Sequence, residues 1–462
     1  MPDPAAVPPR PTLARVRPPP DFLSVPSLVR ALIRNPIEAW PEQVYREPIV
    51  RRRVLAREIV YVMDPGMIHD VLVEEADQVV KAAPMLRALG PALGTGLLTA
   101  DGEEWRRQRR ASAPTFRHDR IVSFLPAMLK AATAARDRLV AHTGRTVDIG
   151  HEMMRTTFEI IVETMLSGRA GIDVGGIERA MTDYLEATSW TFTLALMRAP
   201  PWLPYPGRRR AARGRDHMRG EVARVVAERR REGLRSADLV SLLLDATDPD
   251  TGQGMSDREM TDNLLTFIAA GHETTAVALT WAFYLLDLHP EITDRVLAEI
   301  ADVTGGREVE PDHVQALAYT RQVVQEAMRL YPPAALLLRD ARAPLRVGEH
   351  DLEPGVAIMI PLYAVHRHAS LWDDPDRFDP DRFAPDAIKA RHRLAYLPFG
   401  AGPRTCIGAS FALLEAVAIM AVILPAVRLA RPSGAPQPTL RLRVTLRPGN
   451  GMPMTVSRRS PA

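Results

Sequence analysis

The sequence predicts a mainly helical protein with a small β region, and three of its features point there. Residues 120–245 keep helical patterning throughout, with one break at Ala199-Pro200-Pro201-Trp202-Leu203-Pro204-Tyr205-Pro206. Ser256-Asp257-Arg258-Glu259 reads as a capping box that opens a long apolar helix ending near His289-Pro290. Strand signals are short by comparison: Ile49-Val50, Ile59–Val62, Leu345–Val347 and Val356–Ile360. A chain of 462 residues can make one large domain or two or three ordinary ones.

Hydrophobic content of 46% with 25% charged residues is a globular balance able to build a large core. A formal charge of +3 is too small to argue for nucleic acid. The single cysteine excludes an intramolecular disulfide and any all-cysteine metal site, and fits a reducing compartment. Residues 1–20 are rich in Pro and Arg without an apolar targeting core, so a disordered tail is expected there. The longest apolar stretch, Ala416–Val427, is interrupted by Pro425 and reads as core rather than a membrane span. A soluble, cytoplasmic protein is expected.

In chain order, Asp21–Trp40 carries helical periodicity through Phe22, Leu28 and Leu32, and Asp64-Pro65 starts a further helix. Lys81–Ala100, dense in Gly, Pro and Leu, does not settle as one element; irregular apolar loops of this kind often line ligand cavities. Asp101–Arg110 opens a helix that puts Trp105 and Arg109 on one face, with Arg106, Arg107, Arg110 and Arg117 leaving a basic surface. Within the long apolar helix, Ala270-Gly271-His272-Glu273-Thr274-Thr275 places a helix-weakening glycine and an acid–alcohol pair in an apolar run. By itself this reads as a satisfied polar patch whose hydroxyls bond back to the preceding turn. Glu326 and Arg329 stand at i, i+3.

Cys406 lies in Phe399-Gly400-Ala401-Gly402-Pro403-Arg404-Thr405-Cys406-Ile407-Gly408, a glycine- and proline-broken loop followed by the apolar helix Ala409–Ile423. A helix N-terminus offers N–H groups and a dipole that favour a thiolate, and the small neighbours allow a large flat partner to approach. A buried structural cysteine is the alternative.

The decapeptide resembles the haem-binding signature of the cytochrome P-450 family, F-G-x-G-x-R-x-C-x-G, matching at Phe399, Gly400, Gly402, Arg404, Cys406 and Gly408. The resemblance extends to W-x-x-x-R (Trp105, Arg109), (A/G)-G-x-(D/E)-T-(T/S) (Ala270–Thr275), and E-x-x-R (Glu326, Arg329). It implies one domain over residues 21–462, haem b (iron protoporphyrin IX) as cofactor, and Cys406 as the iron ligand. A thiolate ligand favours O–O cleavage. It further implies that Phe399 shields the sulfur, that Trp105, Arg109, Arg339 and Arg404 reach haem propionates, and that Gly408 belongs to the haem loop. Glu273 and Thr274 are implied to relay protons to bound dioxygen. Arg382, within Pro380-Asp381-Arg382-Phe383, is implied to complete a structural triad with Glu326 and Arg329, although Pro375-Asp376-Arg377-Phe378 is a near duplicate. Leu98, Ala270, Ala335, Leu336 and Leu337 are expected to line the substrate pocket, and the Gly449-Asn450-Gly451 turn to dip into it.

The implied activity is monooxygenation (hydroxylation) of an apolar small molecule such as a fatty acid, terpenoid or steroid, with electron transfer from a separate ferredoxin or flavoprotein. A peroxide-driven haem-thiolate enzyme and a non-catalytic haem sensor are the rival readings. The intact Glu273-Thr274 pair argues against the first, and no attached signalling module is visible for the second.

Overall fold

A computed structural model describes residues 11–54, 57–166, 173–232 and 238–459. Helices build most of it. A five-stranded sheet runs in the order Ile49–Val54, Arg57–Val62, Ala357–Ile360, Leu337–Ala341, Val79–Lys81. Its pairs are antiparallel except for Arg57–Val62 beside Ala357–Ile360. Around it lie smaller ribbons, of which the hairpin Leu440–Leu442 with Leu446–Pro448 matters most for the site.

The helix Asp257–Leu288 runs through the core. Ser256 Oγ accepts from the Glu259 amide, and the Glu259 carboxylate accepts from the Ser256 amide at 2.9 Å, satisfying two orphan donors. Leu264, Leu279, Trp281 and Phe283 are all buried, as expected of a helix apolar on every side. The resemblance suggests a weakened helix at Ala270–Thr275, yet the helix is continuous there. Thr274 Oγ1 donates to the Ala270 carbonyl at 2.7 Å and Thr275 Oγ1 to that of Gly271 at 3.2 Å, the back-bonded arrangement the residues alone predict. Gly271 is explained by packing: a Cβ there would come 2.8 Å from Ile161 Cδ1 on the neighbouring helix Ile149–Leu166.

Two expectations are corrected. Residues 11–20, assigned to a disordered tail, are packed onto the body. Ala14 is buried, its amide donates to Tyr284 Oη at 3.1 Å, and its carbonyl accepts from Tyr331 Oη at 2.8 Å. Buried tyrosine hydroxyls need partners, and this segment supplies them. The rest of the expected tail, residues 1–10, lies outside the described residues.

Lys81–Ala100, expected to be irregular, is largely the helix Ala83–Leu93, with Pro84 in its first turn, where a missing N–H costs nothing. The glycines after it serve close approach to the central helix. The Thr95 amide donates to the Asp262 carboxylate at 2.9 Å and the Leu97 amide to Asn263 Oδ1 at 2.9 Å. A side chain at Gly94, where φ is 56°, would collide with the Asp262 carboxyl group.

Candidate active site

A cavity of about 470 Å³ opens beneath the central helix and reaches the cysteine loop. In the middle of an otherwise buried helix, Ala270 is exposed because it faces this space. Leu98, Ala335, Leu336 and Leu337 line it, along with Thr188, Ser189 and Phe192 from the helix Thr188–Leu196. Within the apolar stretch of 81–100, Leu89, Leu97 and Leu98 reach the cavity but Leu86 does not.

Cys406 lies at the floor. The loop that carries it turns at Gly400 (φ 73°) and Gly402 (φ 69°); a side chain at Gly402 would run into the Leu72 carbonyl. The Cys406 amide then donates back to the Phe399 carbonyl at 2.8 Å, and the helix Ala409–Ile423 begins three residues on. The accessible surface of Cys406 opens into the cavity. Burial among protein atoms pushes its thiol up, while the Gly408 amide and the nearby Arg109 guanidinium pull it down. Desolvation therefore outweighs the helix-terminus effect expected from sequence, and a positive partner is needed to favour the thiolate.

On the same side lie Lys81, Arg109, Arg339 and Arg404, together with Trp105. Arg404 stacks over the Trp105 ring at 4.0 Å and pairs with Asp101, while its Nη1 donates to the Ala100 carbonyl at 2.7 Å. The Trp105 ring thus stacks with Arg404, not with Arg109, its partner on the helix face. Burial lowers Arg339 to about 10, with Arg404 adding to the effect, and holds Lys81 well below the usual lysine range, with Arg339 and Arg404 adding. Four cations gathered with Asp101 as their nearby carboxylate form a site short of negative charge, which a guest bearing two carboxylates would balance. Lys81 was not singled out from sequence, although it is one of three lysines in an arginine-rich chain.

Glu273 and Thr274 also line the cavity. Glu273 is 3% exposed and ion-paired with Arg447; it also accepts from Thr445 Oγ1 at 2.5 Å. Both partners come from the C-terminal hairpin. The part of this hairpin in the cavity is Leu442–Thr445 rather than the expected Gly449–Gly451 turn. Gly449 packs against Thr439, and Gly451 (φ 74°) against Asp148. His272 has its ring edge-on to Phe158 and Nδ1 2.7 Å from the Ile268 carbonyl.

The structural triad is brought together. Arg329 and Glu326 are fully buried and bonded twice, at 2.7 and 2.8 Å. Arg382 Nε lies 3.7 Å from Glu326, whereas Arg377 offers only its carbonyl, to Arg329 at 2.9 Å. Arg329 also donates to the His366 carbonyl at 2.8 Å, and His366 Nε2 accepts from the Leu397 amide at 3.1 Å, two residues before Phe399. Burial drives His366 down to about 3, so it is neutral. A continuous chain of bonds thus ties the helix Ala318–Leu330 to the cysteine loop.

Glu415 was missed, though an acid inside Ala409–Ile423 is a visible anomaly. It is completely buried, neither oxygen has a hydrogen-bond partner among the described residues, and burial raises it to about 8. Thr275 nearby favours its charged form but is outweighed by burial, and the Thr275 hydroxyl donates to the Gly271 carbonyl.

The expected basic surface is largely neutralised: Arg106 pairs with Asp77, Arg107 with Glu259 and Arg110 with Asp248. Among the described residues no helix is long and apolar enough to cross a membrane.

Comparison with known proteins adds the lineage. The family model described as cytochrome P450 matches residues 27–453. The chain is 36% identical to cyclooctat-9-en-7-ol 5-monooxygenase of Streptomyces melanosporofaciens over 72% of each chain. It is 33% identical to cyclooctatin synthase of the same organism over 85% of each. The crystal structure of the cytochrome P450DA heme domain superposes with a TM-score of 0.84 at 26% identity, covering 97% of this chain and 98% of that one.

Proposed function

The chain belongs to the cytochrome P450 family of monooxygenases, and from that premise we propose that it hydroxylates an apolar small molecule with Cys406 as the ligand of a haem b iron. The observation that carries this is the cysteine facing the cavity with Arg109 in its electrostatic reach, and Lys81, Arg339 and Arg404 clustered together on the wall of the same cavity. Their charge suits two propionates, with Arg404 and Trp105 stacked as one edge of the cradle. A single cysteine cannot supply two thioether links, which favours the non-covalent haem b. Phe399 lines the same cavity, and shielding of the sulfur is assigned to its ring.

Haem, when bound, supplies the activation of O2. The reaction balances as C–H plus O2, two electrons and two protons giving C–OH and water. The chain must therefore deliver protons and keep the substrate in an apolar space. Glu273 is the buried acid available for the first task, held at one oxygen by Thr445 and Arg447. Thr274 Oγ1, its hydrogen given to Ala270, presents a lone pair toward the cavity. Leu98, Ala270, Ala335, Leu336 and Leu337 supply the apolar wall. The two relatives named for transformations of the cyclooctatin skeleton make a bulky terpenoid a candidate substrate. Electrons are assigned to a separate ferredoxin or flavoprotein.

The test is the carbon monoxide difference spectrum of the dithionite-reduced, haem-loaded protein. A strongly red-shifted Soret band is expected, and Cys406→Ala should abolish it. An unchanged band in that variant, or no haem uptake by the folded parent, removes the assignment.

A further inference from the structure

Five cationic side chains among the described residues line the cavity, and four of them belong to the cysteine side. The fifth, Arg443, stands apart in the turn of the C-terminal hairpin. Its charged surroundings are Arg441 and Arg447, with Glu186 the one carboxylate in electrostatic reach, and none of the other four cations. It has no ion pair among the described residues. Its Nη1 donates to Ser189 Oγ at 2.8 Å and to the Glu186 carbonyl at 3.2 Å, while the Glu186 carboxylate is turned to Arg210 at 3.5 Å. Ser189 is buried and itself lines the cavity. Glu273, the one acid in the cavity wall among the described residues, is taken by Arg447.

Two propionates would account for the four cations near Cys406; nothing in that account reaches Arg443. Arg443 is partly buried at the wall of an apolar chamber, and its guanidinium, without an ion pair among the described residues, is placed to take an anion. Its planar fork matches a carboxylate, and Ser189 offers a further polar contact beside it. We propose that Arg443, with Ser189, anchors the carboxylate of the substrate. The substrate is then an amphiphilic carboxylic acid whose apolar body extends along the cavity toward Cys406, and the carbon oxidised is remote from the acid group. This rests on the monooxygenase reading above and names its substrate class.

The test uses the haem-loaded enzyme and the low-to-high-spin Soret shift on titration with dodecanoate, abietate and the methyl esters of both. At least one acid should bind more tightly than its ester. Arg443→Gln should weaken acid binding roughly 10- to 100-fold while leaving the ester unchanged, as loss of a charge-assisted hydrogen bond implies. Arg443→Lys should keep part of the preference, which guards against mere misfolding. Equal affinity for acid and ester, no shift with either acid, or unchanged acid binding in Arg443→Gln overturns the anchor. A parent protein without the thiolate carbon monoxide band fails the haem reading instead; a normal band with no acid preference fails only the anchor.

Discussion

At the residue scale, Thr274 and Glu415 show how identity and surroundings divide the work. Thr274 faces the cavity with its hydrogen already committed to Ala270. Thr274→Ala removes the polar oxygen without leaving a buried group unpaired, so the fold and haem content should persist. Electrons should then leave as hydrogen peroxide, raising peroxide per electron pair supplied severalfold at the expense of product. Full coupling to product in that variant would sink the proton role.

Glu415 carries a pH signature. Its folded value of about 8 lies above the ordinary value of 4.5. Between these the folded chain keeps a proton that the unfolded chain has released, so its contribution to stability is whole below 4.5 and is lost as the pH rises toward 8. Glu415→Gln has the same shape and cannot ionise. The Tm of the variant should therefore gain on that of the parent steadily from pH 5 to pH 8. A difference in Tm that does not change with pH would show that Glu415 is not held neutral.

At the element scale, the hairpin Leu440–Pro448 does two jobs: its turn lines the cavity and its flanks hold Glu273. Arg447→Gln leaves a nearly buried carboxylate with only Thr445, which should cost about 1–2 kcal/mol, given that Arg447 is itself one-third exposed. Thermal unfolding measures that loss. Product formed per electron pair supplied should fall as well, with Arg447→Lys restoring both in part. A variant as stable and as well coupled as the parent would show that the clamp is incidental. The hold on Glu273 was not legible at all; the resemblance brought this segment to the pocket but at Gly449–Gly451, because a strand pattern with alternating arginines over Arg441–Arg447 reads as an exposed ribbon. What turns it inward is its docking against the central helix, where Trp281 Nε1 donates to the Leu446 carbonyl at 2.8 Å.

At the scale of the whole molecule, the N-terminal segment is a strap. Ala14 and Val16 meet the hydroxyls of Tyr284, Tyr331 and Tyr363, which belong to three different parts of the core. Removing residues 1–20 should lower stability by roughly 2–3 kcal/mol, at about 1 kcal/mol for each lost hydrogen bond. Urea unfolding checks this, and an unchanged midpoint would mean that the tyrosines find water instead. A proline- and arginine-rich stretch looks disordered because its composition buries little apolar surface. The structure tethers it through backbone groups, which composition does not register.

The sequence by itself determined the class of protein and the local motifs on which the proposed centre rests. Cys406 with its flanking glycines, the Glu273-Thr274 pair and the Glu326–Arg329 spacing are local, because each is defined by residues a turn or a loop apart. The tertiary structure alone decided which side chains converge from distant segments: Lys81 beside Arg339 and Arg404, Arg447 and Thr445 on Glu273, Arg443 beside Ser189. Spacing along the chain reports geometry within one element; charge balance and desolvation depend on what packs against it, and that is set only when the elements meet.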